Sequence, residues 1–177
     1  MKKIKSEILE TTGISSKVFR GCNFLGHILL LDYDNCSKDR ILQNIGKLPG
    51  ISILRPSSAT GWHVWNLTIR SRDETGLLGL KMWSDALHHA VSYQRSNWIL
   101  RIAPKYDVEY NEYKPEPGNI EVFSNDTLEP QSMPHLDILK SRFQYRFTKI
   151  ENRFQFVGDK TIIETYQTVT DKLKEHL

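Results

Sequence analysis

The first half of the chain alternates between apolar runs and amphipathic stretches. Short apolar runs rich in branched and aromatic residues predict buried strands, whereas apolar residues at helical spacing predict helices packed against them. Four runs predict strands: residues 24–34, 51–55, 62–69 and 98–102. Two stretches predict helices: residues 37–48 and 74–93.

The boundaries of the two helices carry their own signals. Ser37 is a suitable N-cap for the first helix, and Pro49-Gly50 ends it. In the second helix the spacing of the apolar residues predicts an inward face. That face consists of Leu80, Trp83, Leu87, Ala90 and Val91.

The order strand, helix, strand, strand, helix, strand predicts an α+β fold of the ferredoxin-like or RNA-recognition-like kind. It implies a four-stranded antiparallel sheet with both helices on one face and the first and third strands as central neighbours. The free face of those two strands is the expected working surface. Asp32, Asp34 and His63 all lie on them.

The two ends of the chain carry weaker patterns. Residues 1–20 predict a small helix through Ile4, Ile8 and Leu9, followed by a loop closed by Thr11-Thr12-Gly13. The C-terminal part predicts a short strand at 120–123, a helical or irregular piece from Met133, a hairpin over 143–157 and a terminal helix over 160–177. We expect a single domain of residues 1–177, with a core at about 22–107 and a C-terminal extension at about 108–177.

Composition narrows the classes of function only a little. The net charge of +3 over 177 residues fits a phosphate-bearing partner without requiring one. Cys22 and Cys36 are too few for a disulfide framework or a cysteine zinc site. No apolar run reaches the roughly 18–20 residues of a membrane span, and the first residues lack the apolar core of a signal peptide. We therefore expect a cytoplasmic protein that does not interact with membranes.

The strongest chemical signal is the end of the first predicted strand. In a strand, Asp32 and Asp34 point to the same side, where two carboxylates repel one another unless a cation lies between them. Mg²⁺ is the simplest such cation, since one or two carboxylates and substrate phosphates usually hold it. The alternative is a plain strand end, in which Asp34 or Asn35 turns the chain and Ser37 caps the next helix.

Two further stretches carry candidate phosphate contacts. Small hydroxylated residues around Gly61 expose backbone N–H groups that can hold phosphate oxygens, with help from flanking basic residues; the alternative is an ordinary hairpin loop. The candidates here are Arg55, Ser57, Ser58, Thr60 and His63. Arg101 lies among strong strand formers, where a carboxylate or phosphate partner would offset its burial, and Lys105 follows it; the alternative is an arginine on the solvent side of an edge strand.

Together these stretches resemble the catalytic core of the archaeo-eukaryotic primase superfamily, the primase-polymerases of archaea, plasmids and viruses. Members place an Asp-x-Asp motif on a first strand, as in Leu31-Asp32-Tyr33-Asp34, and follow it with small residues and a His before a hydrophobic strand, as in residues 58–65. The similarity covers about residues 24–107. It implies that Asp32 and Asp34 bind catalytic Mg²⁺ or Mn²⁺, and that His63 and the Ser58 turn contact the triphosphate of the incoming nucleotide.

The resemblance also implies a function and partners. The function is metal-dependent nucleotidyl transfer in DNA replication, by which primers are synthesised or extended. The partners are nucleoside triphosphates and a single-stranded DNA template, with a helicase or a second primase subunit as further candidates.

The chain departs from the family at the third motif. Family members end a later strand with an Asp that completes the metal site, whereas this chain has Leu100-Arg101-Ile102. Asp107 supplies that ligand only if the strand is offset, and Glu109 and Glu121 are weaker candidates. If none does, the site binds nucleotide or template without transfer. Arg101 and Lys105 then become candidate triphosphate contacts, because some divergent members carry basic residues there.

The competing hypothesis is a non-catalytic nucleic-acid-binding replication accessory with an RNA-recognition-like fold. Its sheet face would bind through Arg55, Arg70, Arg101 and aromatic neighbours. A cyclase-like metal-dependent reaction is a third alternative. The four tryptophans favour core positions over a base-stacking surface, and His88 and His89, as adjacent helical residues, are not expected to share a metal.

Overall fold

The computed structural model describes residues 6–104, 106–107, 110, 112–114, 118–148 and 154–171. These residues form an α+β fold with a mostly antiparallel sheet and four helices. The strands are β1 (Ser6–Arg20), β2 (Asn23–Tyr33), β3 (Gly50–Pro56), β4 (Trp62–Arg70), β5 (Ile99–Arg101), β6 (Tyr106–Asp107), β7 (Glu112–Tyr113), β8 (Ile120–Asn125), β9 (Gln131–Ser132), β10 (Tyr145–Phe147), β11 (Phe156–Val157) and β12 (Lys160–Asp171). The helices are α1 (Lys38–Ile45), α2 (Arg72–Lys81), α3 (Ala86–Gln94) and α4 (Met133–Arg142). None of these helices is long and apolar enough to cross a membrane.

The main sheet is organised around the pair β2 and β4. Its described strands run in the order β10-β8-β3-β4-β2-β1-β12, while β5 pairs with β1, and β9 pairs with both β4 and β11. The first and third predicted strands are thus neighbours, as expected, and they pair antiparallel. The fourth predicted strand, β5, pairs with Gly13–Ser15 of β1, on the same edge of β1 that pairs with the start of β2.

Both faces of the central strands are covered. One face, which we call the α4 face, carries Ile28 and Leu30 and packs against α4. The opposite face, the α1 face, carries Leu29 and Leu31 and packs against α1. This is why the run Ile28–Leu31 is apolar throughout and completely buried. The expectation of a free working face was therefore wrong for most of the sheet, since α4 covers the face that carries His63.

Local signals correctly marked several element boundaries. Ser37 caps α1, because its hydroxyl accepts a hydrogen bond from the backbone N–H of Arg40 at 3.4 Å. The helix α1 ends at Ile45 with Gly46 as its C-cap, so the predicted stop at Pro49-Gly50 was too late. Gly50 instead begins β3 with a φ of +81°, a conformation that glycine adopts without steric cost. The strands β2, β3 and β4 each lie within about one residue of their predicted bounds.

The predictions for the two ends of the chain were wrong. Residues 6–20 form the strand β1 instead of a small helix and loop, and residues 160–171 form β12 instead of a terminal helix. The two strands pair with each other in antiparallel register from Ser6–Asp171 to Phe19–Lys160. A partner about 150 residues away supplies the hydrogen bonds of each, and such tertiary pairing overrides a short local helical pattern. Residues 172–177 lie outside the described part.

The predicted hairpin over 143–157 was also wrong. The two strands found there do not pair with each other: β10 runs parallel to β8, and β11 runs parallel to β9. Residues 149–153 between them lie outside the described part of the structure. Alternation predicted extended backbone correctly at both strands, but it carries no information about which strand is the partner.

The predicted helix over 74–93 is divided into α2 and α3. Trp83 interrupts it with a φ of +54°, and its side chain is 76% exposed. Leu80 and Leu87, which were predicted to face inward, are 53% and 71% exposed. Ala90 and Val91 are exposed as well.

Small residues make the buried side of α2 instead. A Cβ added to Gly76 would lie 2.8 Å from the ring of Tyr93, and one added to Gly79 would lie 2.2 Å from the ring of His89. The two helices therefore approach closely through glycines, and the hydrophobic spacing pointed to the wrong face.

A buried histidine ties α4 to β1. The His135 side chain is fully buried; its Nδ1 lies 2.7 Å from the Ser132 hydroxyl, and its Nε2 lies 2.8 Å from the carbonyl oxygen of Ser15. The carbonyl can only accept, so Nε2 carries the proton and donates, while Nδ1 accepts from Ser132. Burial lowers the pKa of His135 to about 4, so the imidazole is neutral at physiological pH.

We expect the protein to lose stability as the pH falls from about 6.5 toward 4, because burial holds several histidines neutral in the folded state. The pKa values of His27, His89 and His135 are lowered to about 4, while in the unfolded chain they return to about 6.5. Between about pH 6.5 and 4 the unfolded state therefore binds more protons than the folded state. The free energy of unfolding is highest above about pH 6.5 and decreases as the pH falls below that value. Urea unfolding at about pH 7.5 and pH 5 measures the difference. His135→Gln should reduce it, and equal midpoints at both pH values would contradict the explanation.

Candidate functional site

Asp32 and His63 lie opposite each other on the two central strands. Both the N–H and the C=O of Asp32 are bonded to residues 84–85, on the side away from β4. Asp32 and His63 are therefore a non-hydrogen-bonded pair of the ladder, the kind in which side chains come closest. His63 Nε2 lies 3.5 Å from Asp32 Oδ1, a contact longer than a normal hydrogen bond.

The loop between α2 and α3 clamps the backbone of Asp32. The Ser84 hydroxyl accepts from the Asp32 N–H at 2.9 Å and donates to its carbonyl oxygen at 2.8 Å. The Asp85 N–H also donates to that carbonyl, at 2.9 Å, while the Asp85 carboxylate caps α3 by accepting from the Leu87 N–H at 2.9 Å. The clamp replaces a strand at this edge, because β1 pairs with β2 only over residues 23–27 of β2. Asp32 is thereby fixed at the end of the sheet with its side chain 29% exposed.

His63 is held as a neutral imidazole. Its side chain is only 5% exposed, and burial, followed by the positive charges of Arg101 and Arg55, lowers its pKa to about 3. Its Nδ1 is buried and has no hydrogen-bond partner within the described ranges. The ring of Trp65 meets the imidazole edge-on, with centroids 5.7 Å apart. A neutral imidazole in this position can donate or accept one hydrogen bond without adding charge.

The charges of two arginines add to burial in lowering the pKa of His63, so both arginines lie in its surroundings. Arg55 pairs with His63 in the β3–β4 register and is 1% exposed, with its guanidinium 4.1 Å from the ring centroid of Phe143. Arg101 ends β5, and its Nη1 donates to the carbonyl oxygen of Ala103. The structure thus brings together Asp32, Arg55, His63 and Arg101, which we call the Asp32–His63 site. Phe143, which supports Arg55, was missed by the sequence reasoning, since nothing local links it to a residue far away in the chain.

The hydroxylated turn lies beside the site. Its backbone closes through a hydrogen bond of 2.9 Å from the Ser57 N–H to the Gly61 carbonyl. A Cβ at Gly61 would lie 2.7 Å from the hydroxyl of Ser57 and 2.6 Å from that of Ser58, so both lean over the glycine. Thr60 donates a hydrogen bond of 3.0 Å to the Asn35 side chain, which ties the turn to the end of β2. The three predicted hydroxyl residues therefore border the site, although the hydroxyl of Thr60 already contacts Asn35.

The end of β2 was predicted to be either a metal site or a plain strand end, and the second interpretation explains part of it. Asp34 is exposed, and Asn35 turns the chain with a φ of +51°, as expected for a plain strand end. The interpretation as a plain strand end thus accounts for Asn35 and Ser37 but not for Asp32, which is clamped next to His63.

Most of the remaining predicted ligands lie partly or wholly outside the described residues. Lys105 and Glu109 lie outside the described residues, and Asp107 lies on β6 with its side chain outside the described part. Glu121 was a wrong candidate, because it pairs with Leu54 on the α1 face and contacts Lys38 there. Among the described residues no group of three or more His, Cys, Asp or Glu side chains is arranged to hold a metal.

The aromatic and histidine predictions had mixed outcomes. Trp65 and Trp98 are completely buried, as expected for core residues, whereas Trp83 is exposed. The rings of His88 and His89 do not diverge: they stack with centroids 5.4 Å apart at an interplanar angle of 15°. His88 also helps to lower the pKa of His63, so it belongs to the surroundings of the site, which the sequence did not indicate.

The Asp32–His63 site is suited to binding an anion together with a divalent cation. Two guanidinium groups favour a phosphate, and the carboxylates at the end of β2 favour a divalent ion whose other ligands are phosphate oxygens and water. The donor set therefore fits Mg²⁺ or Mn²⁺ bound together with a nucleotide. Comparisons with protein-family models, with curated proteins and with solved structures found no match to this chain.

Ser84→Ala should destabilise the protein by about 1–3 kcal/mol, because the buried N–H of Asp32 loses its hydrogen-bond acceptor. Urea unfolding of the wild type and the variant measures the change. Ser141→Ala is the matched control, since Ser141 is exposed and its hydroxyl bonds only within α4. We expect the control to change the stability by less than about 0.5 kcal/mol. Equal effects of the two substitutions would show that the clamp does not hold Asp32.

Proposed function

We propose that this protein is a metal-dependent nucleotidyltransferase of primase or primase-polymerase type, which synthesises or extends primers in DNA replication. The observation that carries the proposal is that three separate sequence stretches contribute charged side chains to the surroundings of one imidazole. Asp32 comes from the first stretch, Arg55 and His63 from the second, and Arg101 from the third. These are the stretches that resemble the primase superfamily.

The topology supports the same proposal. The order β2, α1, β3, β4, α2 with α3, and β5 is the one expected of an RNA-recognition-like core, and β2 and β4 are adjacent in it. The strand β1 is an addition to that order, and one of its edges pairs with both β2 and β5. We propose the core as a variant of that fold and the cytoplasm as its location.

The residues divide the expected chemistry between them. Arg55 and Arg101 hold phosphate oxygens, and neutral His63 donates a hydrogen bond to one of them. Asp32 and Asp34 hold the divalent ion together with the phosphates. When bound, the ion supplies charge neutralisation and activates the attacking hydroxyl. The clamp by Ser84 keeps Asp32 in place, so little rearrangement is needed on binding.

Asp32→Asn combined with Asp34→Asn should reduce primer synthesis and extension by about a hundredfold or more, because a metal at the reacting phosphate contributes several kcal/mol to the transition state. The amides keep the size of the carboxylates and remove their charge. A templated assay with ribo- and deoxyribonucleotides measures the loss. Asp39→Asn is the matched control, as Asp39 is an exposed carboxylate in the first turn of α1. Undiminished synthesis by the double variant would refute the assignment.

Mn²⁺ should raise the affinity for a nucleoside triphosphate by about tenfold or more, since the described residues provide too few ligands to hold the ion without phosphate. Titration with a non-hydrolysable triphosphate, with and without Mn²⁺, measures this coupling. The Asp32→Asn, Asp34→Asn variant should lose it. Nucleotide binding that is insensitive to metal would favour the non-catalytic nucleic-acid-binding module instead.

A further inference from the structure

An exposed pair of aromatic rings lies on β10. The side chains of Tyr145 and Phe147 are 46% and 40% exposed. Their rings contact each other with centroids 5.0 Å apart and an interplanar angle of 68°. The Lys140 ammonium lies 5.0 Å from the centroid of Tyr145 and 5.5 Å from that of Phe147. We call Lys140, Tyr145 and Phe147 the aromatic edge, because β10 is the last strand of the sheet order on this side.

The strand register places both rings on the face of the sheet that carries the Asp32–His63 site. Tyr145 pairs with Ile120 and Phe147 with Val122, in a parallel ladder where paired side chains share a face. Ile120 and Val122 belong to the α4 face, which also carries Arg55 and His63. Three strand spacings of about 4.8 Å each separate β10 from β4 along the sheet order.

A buried contact joins the two regions. Phe143 follows the last residue of α4, and its ring lies beneath the guanidinium of Arg55 at 4.1 Å. Two residues later the chain enters β10 at Tyr145. Arg55 and the first exposed ring therefore lie at the two ends of one short, packed stretch of chain.

The charge of this stretch is uniformly positive. Residues 140–149 have the sequence Lys-Ser-Arg-Phe-Gln-Tyr-Arg-Phe-Thr-Lys, with four basic residues, three aromatic residues and no carboxylate. An exposed aromatic surface is a common docking site for proteins and for unpaired bases alike. Cations interleaved with aromatic rings favour the nucleic acid, because the rings stack bases while the cations neutralise the backbone phosphates.

We infer that the aromatic edge binds single-stranded nucleic acid, with Tyr145 and Phe147 stacking successive bases and Lys140 contacting a phosphate. Paired bases in a duplex do not offer their faces, so the surface selects a single strand. The inference that the aromatic edge binds a single strand does not depend on the proposed function. That the strand continues along the α4 face toward Arg55 and serves as template rests on the proposed function.

Fluorescence anisotropy with labelled oligothymidylate and oligouridylate of about 16 nucleotides tests the inference. Tyr145→Ala combined with Phe147→Ala should weaken binding by about tenfold or more. Tyr145→Leu combined with Phe147→Leu keeps apolar side chains of substantial size and should weaken binding similarly, because leucine has no aromatic face. Phe156→Ala is the matched control, since Phe156 is 39% exposed on β11, away from the aromatic edge. It should leave the affinity unchanged.

The two nucleic acids and the salt dependence refine the result. Tighter binding of oligothymidylate assigns the edge to DNA, and tighter binding of oligouridylate assigns it to RNA; either supports the inference. Lys140→Gln should lower the slope of log affinity against log salt by about 0.7, as expected for the loss of one phosphate contact. A duplex that competes as well as the single strand would overturn the inference.

The readouts separate this inference from the proposed function. The aromatic variants should bind a non-hydrolysable triphosphate normally, and Asp32→Asn with Asp34→Asn should bind the oligonucleotide normally. Strand binding that is lost in the aromatic variants supports the edge even if the wild type makes no primers. Unchanged strand binding in both double variants overturns the edge, whatever the outcome of the primer assay.

Discussion

The register between β2, β3 and β4 is the constraint on which the candidate site depends. In a sheet with one solvated face, the alternation of apolar and polar residues sets the register. Here both faces of β2 are apolar, so a shift by one residue would exchange one buried leucine for another at little cost. Polar contacts must set the register instead. Buried Asn66 on β4 donates hydrogen bonds of 2.9 Å to the Pro49 carbonyl and to the Ser52 hydroxyl, and Ser84 holds the backbone of Asp32. A shifted β2 would turn the Asp32 carboxylate toward the α1 face and would lose the Ser84 contacts.

The fixed register explains the electrostatics at the end of the ladder. Arg55 and His63 are almost completely buried on strands that elsewhere carry only apolar residues on this face. A buried guanidinium requires partners, and it also keeps the neighbouring imidazole of His63 neutral. The polar cluster therefore costs stability that an apolar end of the sheet would not, which is typical of residues kept for binding or catalysis. Within the cluster, Asp32 remains accessible, with 29% of its side chain exposed.

The α4 face thus has three regions with different physical roles. Its centre is a close-packed core that fixes the strands, and one edge, at β10, leaves aromatic rings and cations in solvent. The end of β2 and β4 holds the charged cluster. Phe143 connects the last two regions, since it packs beneath Arg55 and leads directly into β10. A ligand that spans both regions would contact the aromatic rings at β10 and the arginines of the Asp32–His63 site.

The sequence by itself determined the elements whose signals are local. Apolar runs predicted β2, β3 and β4 to within about one residue, and Ser37 marked the start of α1 correctly, although α1 ends at Ile45, before the predicted stop. The order of these elements predicted that Asp32 and His63 would lie on adjacent strands. It did not determine the pairing of β1 with β12, because the hydrogen bonds of each come from a strand at the other end of the chain. It also misjudged the helix after β4, where Gly76 and Gly79 are buried while Leu80 and Leu87 are exposed, since helical spacing shows which residues share a face but not which face is buried. Only the tertiary structure decided that α4 covers the expected working face, that Ser84 clamps Asp32, and that Arg55 and Arg101 add to burial in lowering the pKa of His63. Each of these relations joins residues whose local sequences carry no information about one another.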